Sequence, residues 1–349
     1  MNERLAHQMK NYKLAVIIPS WNCQEYLAEM LDSILAQSFQ EWRVFVVDDQ
    51  STDSSLDIIK GYAQKDKRIN YLVRDREPKG AQTCRNLGFE QTEGAKYVIW
   101  FDADDVIAPY CFEQRVSYMD RHPELDFGIF PAITFQDKPW EEKAWCYGFP
   151  LGEDDLSAML LGTLPMVGWT NIYRKKSLIR VKHSWDEHIL SMQDFDFNVQ
   201  GLLLNLRYDY AVKEKARVDY FYRTKSNTQK ISHKICTIEH FQSHIYLLQK
   251  TINGLDVEKI IKYQNAIEAF FFRFASMFTK RSDIYNQLFR IPWVKDNVVY
   301  YLRLKLWEMC GFRLGGRLFF KTIISRDSLI QKKWHNLVER EYVEFCKVK

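Results

Sequence analysis

Tyr97-Val-Ile-Trp-Phe-Asp-Ala-Asp-Asp105 is an apolar run of five residues that ends abruptly in three carboxylates. Such a run reads as a strand buried on both faces, and strands of that kind bring their carboxyl ends to the ligand crevice of an α/β sheet. Asp102, Asp104 and Asp105 would then meet at one sheet edge, where like charges repel unless a cation lies among them. Mg2+ or Mn2+ suits that position, because each takes one or two carboxylates and completes its shell with water and substrate phosphates. The competing reading is a solvated turn whose aspartates cap a helix before Ile107-Ala108-Pro109.

Towards the N-terminus, short apolar runs alternate with helical patterns. Residues 14–18 read as a strand, followed by a helix with Tyr26, Leu27, Met30, Leu31, Ile34 and Leu35 on one side. Residues 44–47 form the next strand, ending at Asp48-Asp49, and Ser51-Thr52-Asp53 supplies a start signal for a helix through Ile58, Ile59 and Tyr62. Residues 69–73 read as a strand and 81–91 as a helix. This alternation predicts βαβ units and a mainly parallel sheet. Pro19-Ser20-Trp21-Asn22, Asp48-Asp49 and Asp102–Asp105 all fall at strand carboxyl ends, where the crevice rule places ligand-facing residues.

Residues 126–234 are more irregular and rich in aromatics, with strands expected over 127–135, 170–174 and 208–212 and helices over 156–161 and 195–204. Beyond residue 235 the pattern is helical, over 238–252, 257–278, 294–309 and 329–345. The expected organisation is a region 1–234, divided into halves of about 13–110 and 111–234, and a basic helical region 235–349. Between Arg273 and Lys333 there are 13 Lys and Arg against 4 Asp and Glu, although the whole chain of 349 residues carries a formal charge of only +4. So small a total gives no sign of a nucleic-acid partner. The seven cysteines are odd in number and scattered without metal-ligand spacing, which predicts free thiols in a reducing compartment. Residues 1–13 are polar and charged, with no apolar stretch of a signal peptide, and no segment approaches the roughly 20 apolar residues of a membrane span. Cytoplasmic residence is the expectation.

Four motifs occur in register: Val16-Ile-Ile-Pro-Ser-Trp-Asn22, Val46-Val-Asp-Asp-Gln-Ser-Thr-Asp53, Lys79-Gly-Ala-Gln-Thr-Cys-Arg-Asn-Leu-Gly88 and Phe101-Asp-Ala-Asp-Asp105. Together they resemble the successive signatures of family 2 glycosyltransferases, over residues 13 to about 230. The resemblance implies the GT-A fold, a Rossmann-like nucleotide-binding half with a mixed sheet, here followed by a C-terminal helical extension. It implies transfer of a sugar from a nucleotide diphosphate sugar to an acceptor hydroxyl with inversion, in polysaccharide or glycoconjugate assembly. UDP-sugars lead as donors, with GDP- and dTDP-sugars as alternatives. Glycans or lipid-linked sugars are the implied acceptors, and Mn2+ or Mg2+ the implied metal.

Carried over residue by residue, the resemblance makes Asp104 the metal-bound carboxylate, Asp102 a contact to ribose or sugar, and Asp105 and His233 further metal ligands. Asp49 would accept from the base edge. Pro19, Trp21, Asn22 and Glu25 would line base and ribose, although Pro19 and Trp21 equally suit a strand end and local packing. Asp53 reads as a helix cap. Arg85 and Asn86 would anchor the nucleotide subsite or their own helix. Asp194 stands where the family places its general base, with Gln193 in the position commonly held by Glu. Asp196 is its competitor, and a favourable charge at a helix start is the plain alternative for Asp194. Trp169 and Asn171 would shape the acceptor pocket, though a buried core Trp is as common. Trp185-Asp186-Glu187 would precede the base there. Arg223 and His233 would close over the diphosphate. Over 298–323, Tyr300, Tyr301, Trp307, Phe312, Phe319 and Phe320 mix with Arg303, Lys305, Arg313, Arg317 and Lys321. That pattern suits an interfacial helix on anionic lipid, making a peripheral membrane contact at the inner face, or equally a helix packed on the preceding region. Two rivals remain: nucleotidyl transfer, which wants a Gly-rich basic loop after the first strand, and a catalytically degenerate sugar-nucleotide-binding protein.

Overall fold

Alternate side chains of β1 (Leu14–Ser20) enter two different cores. Ala15 and Ile17 join one apolar cluster and Leu14, Val16 and Ile18 the other, as the period of two requires of a strand covered on both faces. This strand is central in the computed structural model of the protein, which describes residues 12–140, 145–151, 154–224, 237–277, 288–291, 294–295 and 305. β2 (Trp42–Asp48) and β4 (Tyr97–Trp100) flank β1 in parallel, and β3 (Ile69–Val73) lies beyond β2. With β6 (Phe127–Ile129), β9 (Asn171–Arg174) and β10 (Tyr208–Tyr210) they form one seven-stranded sheet, ordered β10-β6-β9-β4-β1-β2-β3. β9 runs antiparallel to β4 and β6, so the sheet is mixed. A second sheet of four strands, β5 (Val106–Ile107), β11 (Tyr220–Arg223), β7 (Ala132–Phe135) and β8 (Cys146–Tyr147), stands beside the end of β4.

Helices α1 (Leu27–Leu35), α2 (Ser55–Lys65) and α4 (Cys111–Arg121) bury Leu27, Met30, Leu31, Ile34, Ile59, Phe112 and Val116 against one face of the large sheet. On the other face α3 (Ala81–Glu90) lies so close to β1 that a Cβ on Gly88 would stand 2.4 Å from Ile17 Cγ2. That face also receives α5 (Asp155–Leu161) and α7 (Gln193–Leu203). α8 (Ile238–Asn253) and α10 (Gln264–Met277) share the same core through Phe241, Leu248, Ile252, Ile267 and Phe270. α6 (Lys175–Val181) follows β9, and α9 (Val257–Lys262) links α8 to α10.

Two expected elements are corrected. The run 127–135 is not one strand but β6 and β7, split at Phe130-Pro131. Pro131 has no N–H to give a ladder, and there the chain passes from the large sheet to the small one. The helix expected over 257–278 is interrupted at Tyr263, whose hydroxyl donates to Asp154 at 2.8 Å. Cys23, Cys84, Cys111 and Cys146 are free thiols. Among the described residues no helix is long and apolar enough to cross a membrane. The basic stretch 298–323 lies outside the described residues except at Lys305.

A buried ion pair joins the two layers behind the end of β4. Arg115 of α4 donates to Asp219 at 3.0 and 2.7 Å and to the Trp169 carbonyl at 2.9 Å, with both charged side chains fully buried. Removing one partner strands the other charge in the interior, so Arg115→Leu should cost about 3–5 kcal/mol. A chemical denaturation midpoint lowered by that amount checks it.

Candidate active site

The loop after β4 is built by β11. Tyr220 is fully buried, tilted against Phe101 at 4.8 Å between centroids, and its hydroxyl accepts from the Asp102 N–H at 3.2 Å while donating to Asp105. The Arg223 N–H donates to the other Asp105 oxygen at 2.7 Å. Burial first, then the neighbouring charges of Asp104 and Asp102, push the Asp105 carboxyl well above the usual carboxylate range. Asp105 is therefore an internal brace with both oxygens engaged. The Arg223 side chain donates to the Asp104 carbonyl at 2.8 Å and pairs with Glu29 of α1, lying over Tyr26 and Phe135. It holds the backbone of the carboxylate loop rather than standing out over it.

Asp102 faces the other way, 27% exposed, and accepts from Arg85 at 2.8 Å. The Arg85 guanidinium, supplied by α3, lies 4.3 Å from the ring centroid of Trp185 and also donates to Gln193 Oε1 at 2.8 Å. Gln193 in turn donates to Gln82 Oε1 at 2.7 Å. A glutamate at 193 could take the Arg85 bond but not give the second, so the neutral amide closes a chain from α3 to α7. Asn86 donates to the Trp185 carbonyl at 2.8 Å and to Glu187 at 2.9 Å, which fixes the segment carrying Trp185.

Asp194 lies in the first turn of α7 and accepts from the Gly168 N–H at 2.9 Å. Burial raises its carboxyl, Arg85 pulls it down, and Asp102 pushes it up again. A favourable charge at a helix start is thus only part of its setting. Asp196, two residues on, is turned away and pairs with Lys250 of α8 at 2.8 Å.

Two residues expected to shape an acceptor pocket lie in the interior. Trp169 is only 5% exposed, stacked on Tyr220 and Tyr222 at 4.8 and 5.3 Å and edge-on to Tyr147 at 5.2 Å. Asn171 is fully buried on β9, donating to Tyr173 and to Asn198 at 2.8 Å each, and Asn198 donates to the Asp194 carbonyl at 2.7 Å. Its place in the interior strand makes it a support behind Asp194 rather than a surface for a ligand.

At the far side of the crevice, the Asp49 N–H donates to the Ser20 carbonyl at 2.8 Å, locking the ends of β1 and β2 together. The buried Asp49 carboxylate pairs with Arg74 from the end of β3, a partner the motifs do not disclose. Asn22 clasps the β2–α2 loop, accepting from the Thr52 N–H at 2.8 Å and donating to Ser51 Oγ at 3.0 Å. Asp53 accepts from Ser55, the first residue of α2, at 2.9 Å, and from Gln24 at 3.2 Å. Pro19 pairs with Val47 in the sheet, Lys79 lies 4.3 Å from the Trp21 ring centroid, and Glu25 is exposed on the rim. His233 lies outside the described residues.

Among the described residues no three His, Cys, Asp or Glu side chains gather as a ready metal-ligand set. The donor chemistry nevertheless fits a hard divalent ion that takes most of its shell from substrate phosphates and water. Asp102 and Asp104 are both partly exposed at the strand end, and their charges already press on Asp105.

Residues 15–181 match the family described as Glycosyl transferase family 2. The chain is 36% identical over 162 residues to the putative teichuronic acid biosynthesis glycosyltransferase TuaG of Bacillus subtilis, covering 46% of this chain and 64% of that one. It is 28% identical over 265 residues to the poly(ribitol-phosphate) beta-N-acetylglucosaminyltransferase TarS of Staphylococcus aureus, covering 72% of this chain and 42% of that one. The chain thus spans less than two thirds of the length of either relative. Among solved structures, S. aureus TarS 1-349 in complex with UDP-GlcNAc superposes with a TM-score of 0.59 at 19% identity, covering 93% of this chain and 92% of that one. The mannosyltransferase PcManGT from Pyrobaculum calidifontis, in complex with GDP-Man and Mn2+, does so at 0.50 and 13%, covering 91% and 86%. The shared architecture is the GT-A fold.

Gly168 is a tight point of this site. A Cβ there would meet Asp194 Oδ1 at 2.5 Å and Trp185 Cη2 at 2.9 Å. Gly168→Ala should displace the Asp194 carboxylate and cost about 1–3 kcal/mol by overpacking. A lowered melting temperature, with a crystal structure showing a longer Gly168–Asp194 contact, checks it.

Proposed function

We propose that this chain, which belongs to glycosyl transferase family 2 and carries the GT-A fold, moves a sugar from a nucleoside diphosphate sugar to an acceptor hydroxyl with inversion at the anomeric carbon. The observation that carries this reading is the Arg85 guanidinium, bonded on one side to Asp102 at the end of β4 and on the other to Gln193 beside Asp194. It ties a carboxylate suited to the donor to a carboxylate suited to take a proton, and holds the two in fixed relation.

In a single displacement the acceptor oxygen bonds to the anomeric carbon as the bond to the diphosphate oxygen breaks, and the electron pair leaves with the diphosphate. The acceptor proton needs a base at that moment, and Asp194 supplies it. Its raised pKa makes it a stronger base than a solvated aspartate, and the Gly168 N–H fixes one of its oxygens. Asp104 would hold a divalent cation, while Asp102 points to ribose or sugar; Asp105, with both oxygens taken, supports the loop instead. When bound, the cation neutralises the charge developing on the diphosphate. Asp49, oriented by Arg74, accepts an N–H from the base, which suits uracil and also guanine.

The UDP-GlcNAc bound by TarS supports a UDP-sugar donor, and the GDP-Man bound by PcManGT keeps guanine in play. Relatives named for teichuronic acid and poly(ribitol-phosphate) support an acceptor hydroxyl on a growing glycan or polyol-phosphate chain, free or lipid-linked. The free thiols Cys23, Cys84, Cys111 and Cys146 suit a reducing cytoplasm.

A thermal-shift panel of UDP, GDP and dTDP with and without Mn2+ tests the reading. At least one nucleotide should stabilise the protein only with metal, and Asp104→Ala should abolish that effect. Asp194→Asn should keep it while cutting UDP release from UDP-GlcNAc by about 10²–10⁴-fold. No metal-dependent shift from any nucleotide would overturn the reading.

The pH dependence has a defined sign. Asp194 must be ionised to act, so kcat should fall as pH drops through its raised pKa. Arg85 lowers that pKa, so Arg85→Met should move the acid limb of the kcat profile to higher pH. An unmoved limb would count against Asp194 as the base.

A further inference from the structure

α8 lies beyond the family-matched residues 15–181, yet it bonds repeatedly to the segment that carries Asp194. Ser243 Oγ accepts from the Leu190 N–H at 2.9 Å, and His244 Nε2 pairs with Ser191 Oγ at 2.8 Å. Tyr246 donates to Asp186 at 2.9 Å. Lys250 donates to Asp186 at 2.7 Å and to Asp196 at 2.8 Å. Positions 243, 246 and 250 follow one another at helical spacing, so one face of α8 makes the contacts on both sides of the base.

What these bonds enclose needs holding. Met192, the residue at which α7 begins, has φ 60° and ψ 31°, with no side-chain cap. A left-handed conformation in a non-glycine residue is strained and persists only where the surroundings impose it. Leu190 and Ser191 are bonded to α8 immediately before this turn and Asp196 four residues after it. Asp196 is 2% exposed, so the Lys250 ammonium also neutralises a charge that has little water around it.

We propose that α8 is a clamp on the catalytic base, and that Lys250 is a positioning residue: by bridging Asp186 and Asp196 it holds the left-handed turn at Met192, and through it the aim of Asp194. The clamp rests on the reading of Asp194 as the base. Lys250 acts through Asp196 and the helix, not on substrate. Apolar packing of α7 against α10, such as Phe195 stacked on Phe270 at 4.9 Å, keeps α7 attached when the charge is removed. Lys250→Met preserves much of the apolar stem.

The test compares wild type, Lys250→Met and Lys250→Arg by three measurements. These are hydrogen–deuterium exchange over residues 186–200, the thermal shift given by UDP with Mn2+, and UDP release from UDP-GlcNAc. Lys250→Met should exchange faster over 186–200, keep the UDP–Mn2+ shift, and lose turnover by about 10- to 100-fold, the scale of a misplaced catalytic group. Lys250→Arg should restore both exchange and turnover. Unchanged turnover in Lys250→Met, whatever its exchange, overturns the positioning role. A UDP–Mn2+ shift lost in step with turnover overturns it too, since that marks a general structural defect. If wild type itself shows no metal-dependent shift with UDP, GDP or dTDP and no release, the transfer reading fails and the positioning role falls with it. The exchange comparison then decides only whether Lys250 holds residues 186–200, faster exchange in Lys250→Met restored in Lys250→Arg showing that it does and no change showing that it does not.

Discussion

One guanidinium sets the arrangement of this site. Arg85 lies on the Trp185 ring with Asp102 on one side and Gln193 on the other, where the end of β4 and the helices α3 and α7 converge. Burial and the charge of Asp102 push the Asp194 carboxyl up, and Arg85 is the cation that pulls it back down. Trp185 is itself fixed by Asn86, one residue along α3, so the cation and its platform come from the same short helix. The other supports are arranged around that contact.

The carboxylates at the end of β4 show how environment divides labour among identical side chains. Asp105 is turned inward, saturated by Tyr220 and the Arg223 N–H, and holds the loop. Asp102 is turned towards Arg85, and Asp104 has its own carbonyl anchored by the Arg223 side chain. A second sheet does most of this work, since β11 carries both Tyr220 and Arg223. Behind Asp194 a buried chain from Asn171 through Asn198 reaches its carbonyl, so Asp194 is braced from the main chain as well as from Gly168. Rigid placement of this kind is what a displacement reaction needs, because the site must be organised before charge develops.

Much of the frame was legible in the chain. Apolar runs at 14–18, 44–47 and 97–101 are strands because their alternate residues feed two cores, and their polar ends do converge on one edge. Residue type does not disclose depth, however. Trp169 and Asn171 suit a pocket by chemistry, but both are buried, because the segment before β9 and β9 itself run through the interior of the structure. Pro131 marks the break in the run 127–135, yet a run of apolar residues continues past it, so periodicity alone joined two sheets into one strand. The contacts that assemble the site are invisible to any local pattern. Gln193 meets Gln82 across 111 positions, Tyr220 meets Asp105 across 115, and Lys250 meets Asp196 across 54. Arg74 offered a weak signal, a cation at the end of a strand beside the one bearing Asp49, and His233 falls outside the described residues.

In the proposed reaction Asp104 and Asp194 serve opposite ends of one displacement, the leaving diphosphate and the incoming hydroxyl. Anomalous diffraction from crystals soaked with UDP and Mn2+ tests it most directly. One manganese peak is expected on an Asp104 carboxylate oxygen, with the diphosphate also on the metal and Asp194 still bonded to Gly168. A peak on Asp194, or a diphosphate bound away from the end of β4, would contradict it.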